Sequence, residues 1–175
     1  MFDAIQENLD SWFPGLLARL VFAAVLLVYF LNSALKKTGD GLAGLLTVAD
    51  NAYFQILPPV VERYGYDATQ VPWFPWDVIV YLGTYGELVL PVLIVAGLFT
   101  RLAALGMIVF VIVQSYVDIA FHGVDADTIG AYFDRHSDAA ILDQRALWVF
   151  LLTYLVIRGA GRFSLDFLLR KARET

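Results

Sequence analysis

Few residues in this chain could do chemistry, and their spacing is specific. Glu87 lies in the apolar stretch "GELVLPVLIVAGLFTRLAALG" (86–106), and Pro91 follows four positions later. A prolyl nitrogen carries no hydrogen, so the carbonyl four residues back, that of Glu87, loses its helical donor. A carboxyl and a bare carbonyl then share one level, with Gly83 and Gly86 allowing a neighbour to come close. The next apolar stretch carries Gln114 and, on the same helix face, Asp118. "LDQRALW" (142–148) adds Asp143, Gln144 and Arg145, and the first apolar run ends in Asn32, Ser33 and Lys36. An ionisable group kept inside lipid is costly and is a functional candidate by default. Glu87, Gln114, Asp118, Asn32 and Arg145 are therefore the candidate ligand or proton site, with hydrogen-bonded helix association as the alternative role. Either Arg145 or Lys36 is expected to neutralise Asp118. An apolar slot with polar groups for two carbonyls and a proton route is what a quinone needs.

The composition excludes several other chemistries. The chain has 175 residues, no cysteine and two histidines. Disulfides, thiolate zinc sites and iron–sulfur clusters ligated by thiolates are ruled out. Both histidines, His122 and His136, fall outside the apolar runs, which leaves no transmembrane pair for a haem. With Asp125 and Asp127 they form a weak candidate metal set without tight ligand spacing. The net charge of −5 arises mainly from acidic loops, and no basic patch invites nucleic acid.

These residues must be positioned by membrane helices. The chain is 59% hydrophobic, only 17% charged, and has a mean hydropathy of +0.67. Its apolar runs suggest four spans, at about 16–35, 76–99, 102–121 and 140–157, each near the ~20 residues that cross a bilayer. Backbone groups inside lipid must bond internally, so the spans are helices. The expected fold is an all-α, four-transmembrane-helix bundle, one domain over residues 1–175, with a long, partly helical first external loop. The first span reads as a retained anchor, because its apolar run exceeds the core of a signal peptide. Arg101 in the turn and Arg158, Arg162, Arg170, Lys171 and Arg173 in the tail (158–175) outweigh Lys36 and Lys37 opposite. The positive-inside rule then puts both termini in the cytoplasm, with the acidic loops outside. Arg19, low in the first span, is expected to snorkel to the interface. Trp12 and Trp76 suit an interfacial belt, and Trp148 the bundle interior. In the first loop Pro58-Pro59 break any continuous helix, leaving short amphipathic pieces ahead of the aromatic "VPWFPW" (71–76).

Several stretches in order resemble the DoxX family. Glu87 with Pro91, followed by "GLFTRLAALG" (97–106), resembles its second and third helices, and "YFLNSALKKTGDG" (29–41) its first-helix exit. "LDQRALWVFLL" (142–152) and "GAGRFSLD" (159–166) resemble its fourth helix and closing motif. The resemblance implies a four-helix protein of the bacterial inner membrane. It also implies association with redox or stress-related membrane complexes; the family takes its name from a subunit of a thiosulfate:quinone oxidoreductase. Relatives that work through membrane cysteine pairs are no guide to a chain without cysteine.

Two functions follow. In the first, the chain is a subunit or accessory of a redox complex, binding a quinone non-covalently near Glu87 and Gln114. Other protein subunits supply the electrons, and the chain is at most a subunit of the oxidoreductase. In the second, it is a non-enzymatic scaffold, transport or accessory protein for metal (copper) or stress handling, and its acidic loops matter more. Its partners are the lipid bilayer and other subunits, with a homo-oligomer compatible with either.

Overall fold

The computed structural model describes residues 2–174, with every side chain but that of Leu42. The ends of the expected domain, Met1 and Thr175, lie outside the described residues. Helix α1 (Phe2–Leu9) precedes a first long helix, Phe13–Leu35, made of α2 (Phe13–Phe22), a π turn (Ala23–Leu27) and α3 (Val28–Leu35). Its buried row runs Phe22, Leu26, Phe30, Ala34 in steps of four. In a strict α-helix such a row drifts by ~40° per step. The wide turn takes up that drift and keeps the row facing the core.

The outer loop is a folded cap rather than a tether. It contains α4 (Gly41–Gly44), α5 (Asp50–Ile56), α6 (Pro58–Arg63) and a 3₁₀ turn (Ala68–Gln70). Pro58 starts α6, separating it from α5. Ala52, Tyr53, Val60, Val61 and Val71 form a small core that packs on Val80 of the second long helix. Tyr53 donates to Asp77 Oδ1 at 2.9 Å, pinning α5 to that helix. Burial and the Asp77 carboxylate push this phenol's pKa up.

The second long helix is Trp73–Ala96, a π turn (Trp73–Asp77) leading into α7 (Val78–Ala96). Pro91 is accommodated inside α7 without ending it. Gly97 closes α7 in the left-handed region at φ 69°, with Leu98 N–H donating to Leu93 O at 3.0 Å. A turn of three residues then reverses the chain into α8 (Thr100–Phe121). After α9 (Ala126–Ile129) comes α10 (Leu142–Arg158), and α11 (Leu165–Arg173) closes the chain.

Three helices, Phe13–Leu35, Trp73–Ala96 and Thr100–Phe121, are long and apolar enough to cross a membrane. The expected fourth span corresponds to α10, whose 17 residues reach only ~25 Å along the axis. Leu152 and Leu155 of α10 nevertheless pack with Phe22, Leu26, Phe30, Ile94 and Met107 in one core. The bundle's surface is apolar: Leu20, Val28, Leu82, Leu102, Ile112, Leu147 and Phe150 are all exposed. Its interior holds Arg19, Thr84, Glu87 and Thr100. Apolar side chains outside and polar ones within fit a bilayer as solvent.

Arg19 does not snorkel. It is buried, with Nε 3.1 Å from Ile94 O and both terminal nitrogens donating to backbone carbonyls, among them Val95 O and Phe163 O. It therefore donates to carbonyls where α7 ends and ties them to the segment before α11. From the first turn of α11, Asp166 accepts Phe99 N–H at 2.7 Å and Thr100 N–H at 3.0 Å, capping α8 from a distance in sequence. Gly15 is forced at the same knot, because a Cβ there would lie 2.8 Å from the Ala160 carbonyl carbon.

Candidate functional site

At Glu87 the polar chemistry converges. α7 carries its carboxyl into the bundle, where it is 2% exposed. The end of the first long helix supplies Ser33, and the turn just after it supplies Lys37. Lys37 Nζ donates to Glu87 Oε2 at 2.6 Å and to Ser33 Oγ at 2.7 Å. Ser33 Oγ in turn donates to Glu87 Oε1 at 3.0 Å. Both carboxylate oxygens are bound in a closed triad, and Lys37 is itself 4% exposed. A buried charge pair holds only when its lone pairs and protons are satisfied in this way.

Beside the triad, a cavity of about 380 Å³ lies between α7 and α8. Its walls are Leu82, Leu90, Val109, Phe110 and Val113, with Gly86 and Gly106 providing depth. A Cβ on Gly86 would meet only Leu90 and Phe110, at 3.9 Å, so the glycine leaves open space beside Glu87. Gly83 instead sits under Ile56 of the cap, 3.0 Å from where its Cβ would be. The loop-side end is polar, lined by Gln55, Gln114, Asp118 and His122.

Gln114 Nε2 donates to the Tyr29 hydroxyl at 3.1 Å, and its Oε1 is buried without a partner. A tyrosine hydroxyl both donates and accepts, so rotating the amide would keep the Tyr29 bond and turn the other atom outward. Gln114 can thus offer either an acceptor or a donor. Asp118 is neutralised by Arg145, not by Lys36: Arg145 donates to Asp118 Oδ2 at 2.6 Å and to Ser115 Oγ at 3.0 Å. Arg145 stays behind the cavity wall, its guanidinium 5.9 Å from the Trp148 ring. Trp148 packs in the bundle against Tyr29 and Phe30, as expected of it.

Glu87, Gln114 and Asp118 therefore line one cavity, and Arg145 positions the third. Asn32 is exposed and outside it; its neighbour Ser33 is the one that reaches Glu87. The sequence reading missed Lys37, having named Lys36 from the same doublet. The signal was the spacing: Lys37 lies four after Ser33, just past the helix end, and is buried, whereas Lys36 is exposed.

The weak metal set does not assemble. His122 Nε2 lies 3.0 Å from Gln55 O, and His136 faces Arg135. Asp125 caps α9, accepting Thr128 N–H at 2.8 Å. Among the described residues no three His, Asp or Glu side chains form a ligand group.

A helical bundle with an apolar exterior, a buried ion pair and a mainly apolar cleft with one polar end is a polytopic membrane protein. The chain belongs to the DoxX family, whose model matches residues 15–122. That match covers the first three long helices, Glu87 and its partners, and stops ahead of α10 and the Asp166 knot. Comparisons with curated proteins and with solved structures gave no match.

Proposed function

We propose that this DoxX protein is the docking subunit of a redox-linked membrane complex, holding a quinone non-covalently between α7 and α8. The observation that carries this reading is the cavity itself: apolar walls, Glu87 at mid-span, and an unpaired Gln114 Oε1 at the polar end. Its volume lies within the ~300–1,000 Å³ of small-molecule sites. An apolar ring fits against Leu90, Phe110 and Val113, and Gln114 can accept from a quinol hydroxyl or donate to a quinone carbonyl. The Glu87–Ser33–Lys37 triad holds exchangeable protons beside that ring. Electrons come from a partner subunit in this reading: the chain has no cysteine, and among the described residues no three His, Asp or Glu side chains group as metal ligands.

In this reading α10 completes a four-span bundle in a bacterial inner membrane, with both termini cytoplasmic. The supports are its packing in the shared core and the arginines gathered at the turn-and-tail end. The alternative, a non-enzymatic scaffold, has one observation in its favour: both Glu87 oxygens already have partners, as in a purely structural lock.

Purification in mild detergent, followed by mass spectrometry of the lipid extract, separates the two. Docking predicts about one quinone retained per chain, lost in Gln114→Leu while the protein stays folded. A quinone-free wild-type protein, or equal retention by the variant, supports the scaffold instead.

A further inference from the structure

The second large cavity of the molecule lies at the opposite end, where the termini gather. It has a volume of about 750 Å³, and its walls include Arg101 of α8, Arg158 of α10 and Arg170 of α11. Two carboxylates share the lining, and both are engaged. Asp10 is ion-paired with Arg158, and Asp166 caps α8 through Phe99 and Thr100. Arg101 and Arg170 form no hydrogen bond or ion pair among the described residues; the Arg170 guanidinium rests 5.4 Å from the Phe167 ring. The cavity thus presents two uncompensated guanidiniums from two different helices.

Its polarity changes sharply with depth. Arg101 precedes Leu102 as α8 enters the membrane, and Ile157 precedes Arg158 as α10 leaves its apolar stretch. Leu102 and Ile157 line the same cavity and are 70% and 66% exposed. Two helices therefore show the same step, a cation at the end and a bare apolar side chain one position deeper. A soluble anion would use only the arginines. An amphiphile would use both levels, with its phosphate on the guanidiniums and its chains along Leu102 and Ile157. Basic pockets between membrane helices at this depth suit anionic headgroups, and guanidiniums bind phosphate oxygens in paired hydrogen bonds.

α11 adds an independent observation. Leu165, Leu168 and Leu169 lie on one face and are exposed, while Arg170 and Arg173 follow on the polar side. Such a helix lies in the interfacial plane with its apolar face in the acyl region. That places Arg170 at headgroup level beside the cavity.

We infer that this cavity binds the phosphate headgroup of an anionic phospholipid, with Arg101 and Arg170 as its ligands. The test is native mass spectrometry of the detergent-purified protein, titrated with phosphatidylglycerol, phosphatidylcholine or inorganic phosphate. Wild type should retain phosphatidylglycerol about tenfold better than phosphatidylcholine. Arg101→Gln with Arg170→Gln should bring that preference close to one, and the two Arg→Lys changes should keep most of it. Arg63→Gln, in the outer cap, should leave it unchanged. If the double variant does not fold, Arg170→Gln alone, on the exposed tail helix, should still lower the preference at least threefold. Equal retention of the two lipids, or a preference indifferent to Arg170, overturns the inference. So does inorganic phosphate that displaces phosphatidylglycerol at equal concentration, since the ligand would then be a soluble anion.

Discussion

At the scale of single residues, the identity of Glu87's donors sets what the site can do. Lys37 and Ser33 make the carboxylate tolerable inside the bundle, and Lys37 also donates to the Ser33 carbonyl at 3.3 Å, tying the triad to the end of α3. Lys37→Met leaves an unpaired charge in an apolar site and should cost about 3–5 kcal/mol in denaturant titrations. Lys37→Met combined with Glu87→Gln should cost far less, because nothing charged is stranded. Equal losses in single and double variants would mean that the two side chains do not act as a pair. Asp166 offers a second residue-scale test, away from the cavity beside Glu87. Asp166→Ala removes the acceptor for two N–H groups at the start of α8 and should lower stability by about 1–2 kcal/mol.

At the scale of elements, the outer loop and the helix ends respond to different variables. The cap closes on itself where Gly39 and Gly44 touch: a Cβ on Gly44 would lie 2.2 Å from the Gly39 carbonyl carbon. Backbone cannot yield as a flexible side chain does, so Gly44→Ala should open the cap and expose residues 38–48 to limited proteolysis. α9 responds to pH. The backbone and side chain of Thr128 hold the Asp125 carboxyl below the usual carboxylate range. A depressed folded-state pKa means that the cap is present at neutral pH and lost as pH falls through that lowered value. The Thr128 amide should therefore lose protection relative to its intrinsic exchange rate in acid, and Asp125→Ala should show that loss of protection already at neutral pH.

At the scale of the molecule, hydropathy made the long helices legible, because lipid demands apolar runs of a fixed length and the runs are there. A turn at "GLFTR" was legible but misplaced: expected at Thr100-Arg101, it lies at 97–99, because Gly97 takes the left-handed conformation that ends α7 and Thr100 already begins α8. Placing Gln114 and Asp118 near Glu87 was possible because rise per residue converts sequence into depth. Three features were not legible, each for a physical reason. Arg19 was read as an interfacial cation, but its carbonyl partners come from residues 94–95 and 160–163, far along the chain. Lys37 was hidden by its neighbour, since two adjacent lysines differ by ~100° in direction and only the fold decides which turns inward. The closing motif around Ser164 and Asp166 resembled a family signature, yet its work is to fasten helix ends together. Beside the locked Glu87 triad, the cavity between α7 and α8 leaves space for a ligand. Its role is tested most directly by equilibrium binding of a short-chain benzoquinone to the purified protein and to Gly86→Leu. That substitution fills the cavity and leaves the Glu87–Lys37 pair in place. Saturable one-to-one binding by the wild type, reduced at least tenfold in a Gly86→Leu protein of unchanged melting temperature, is the predicted result. Absent binding to the wild type, or equal binding to both, would contradict it.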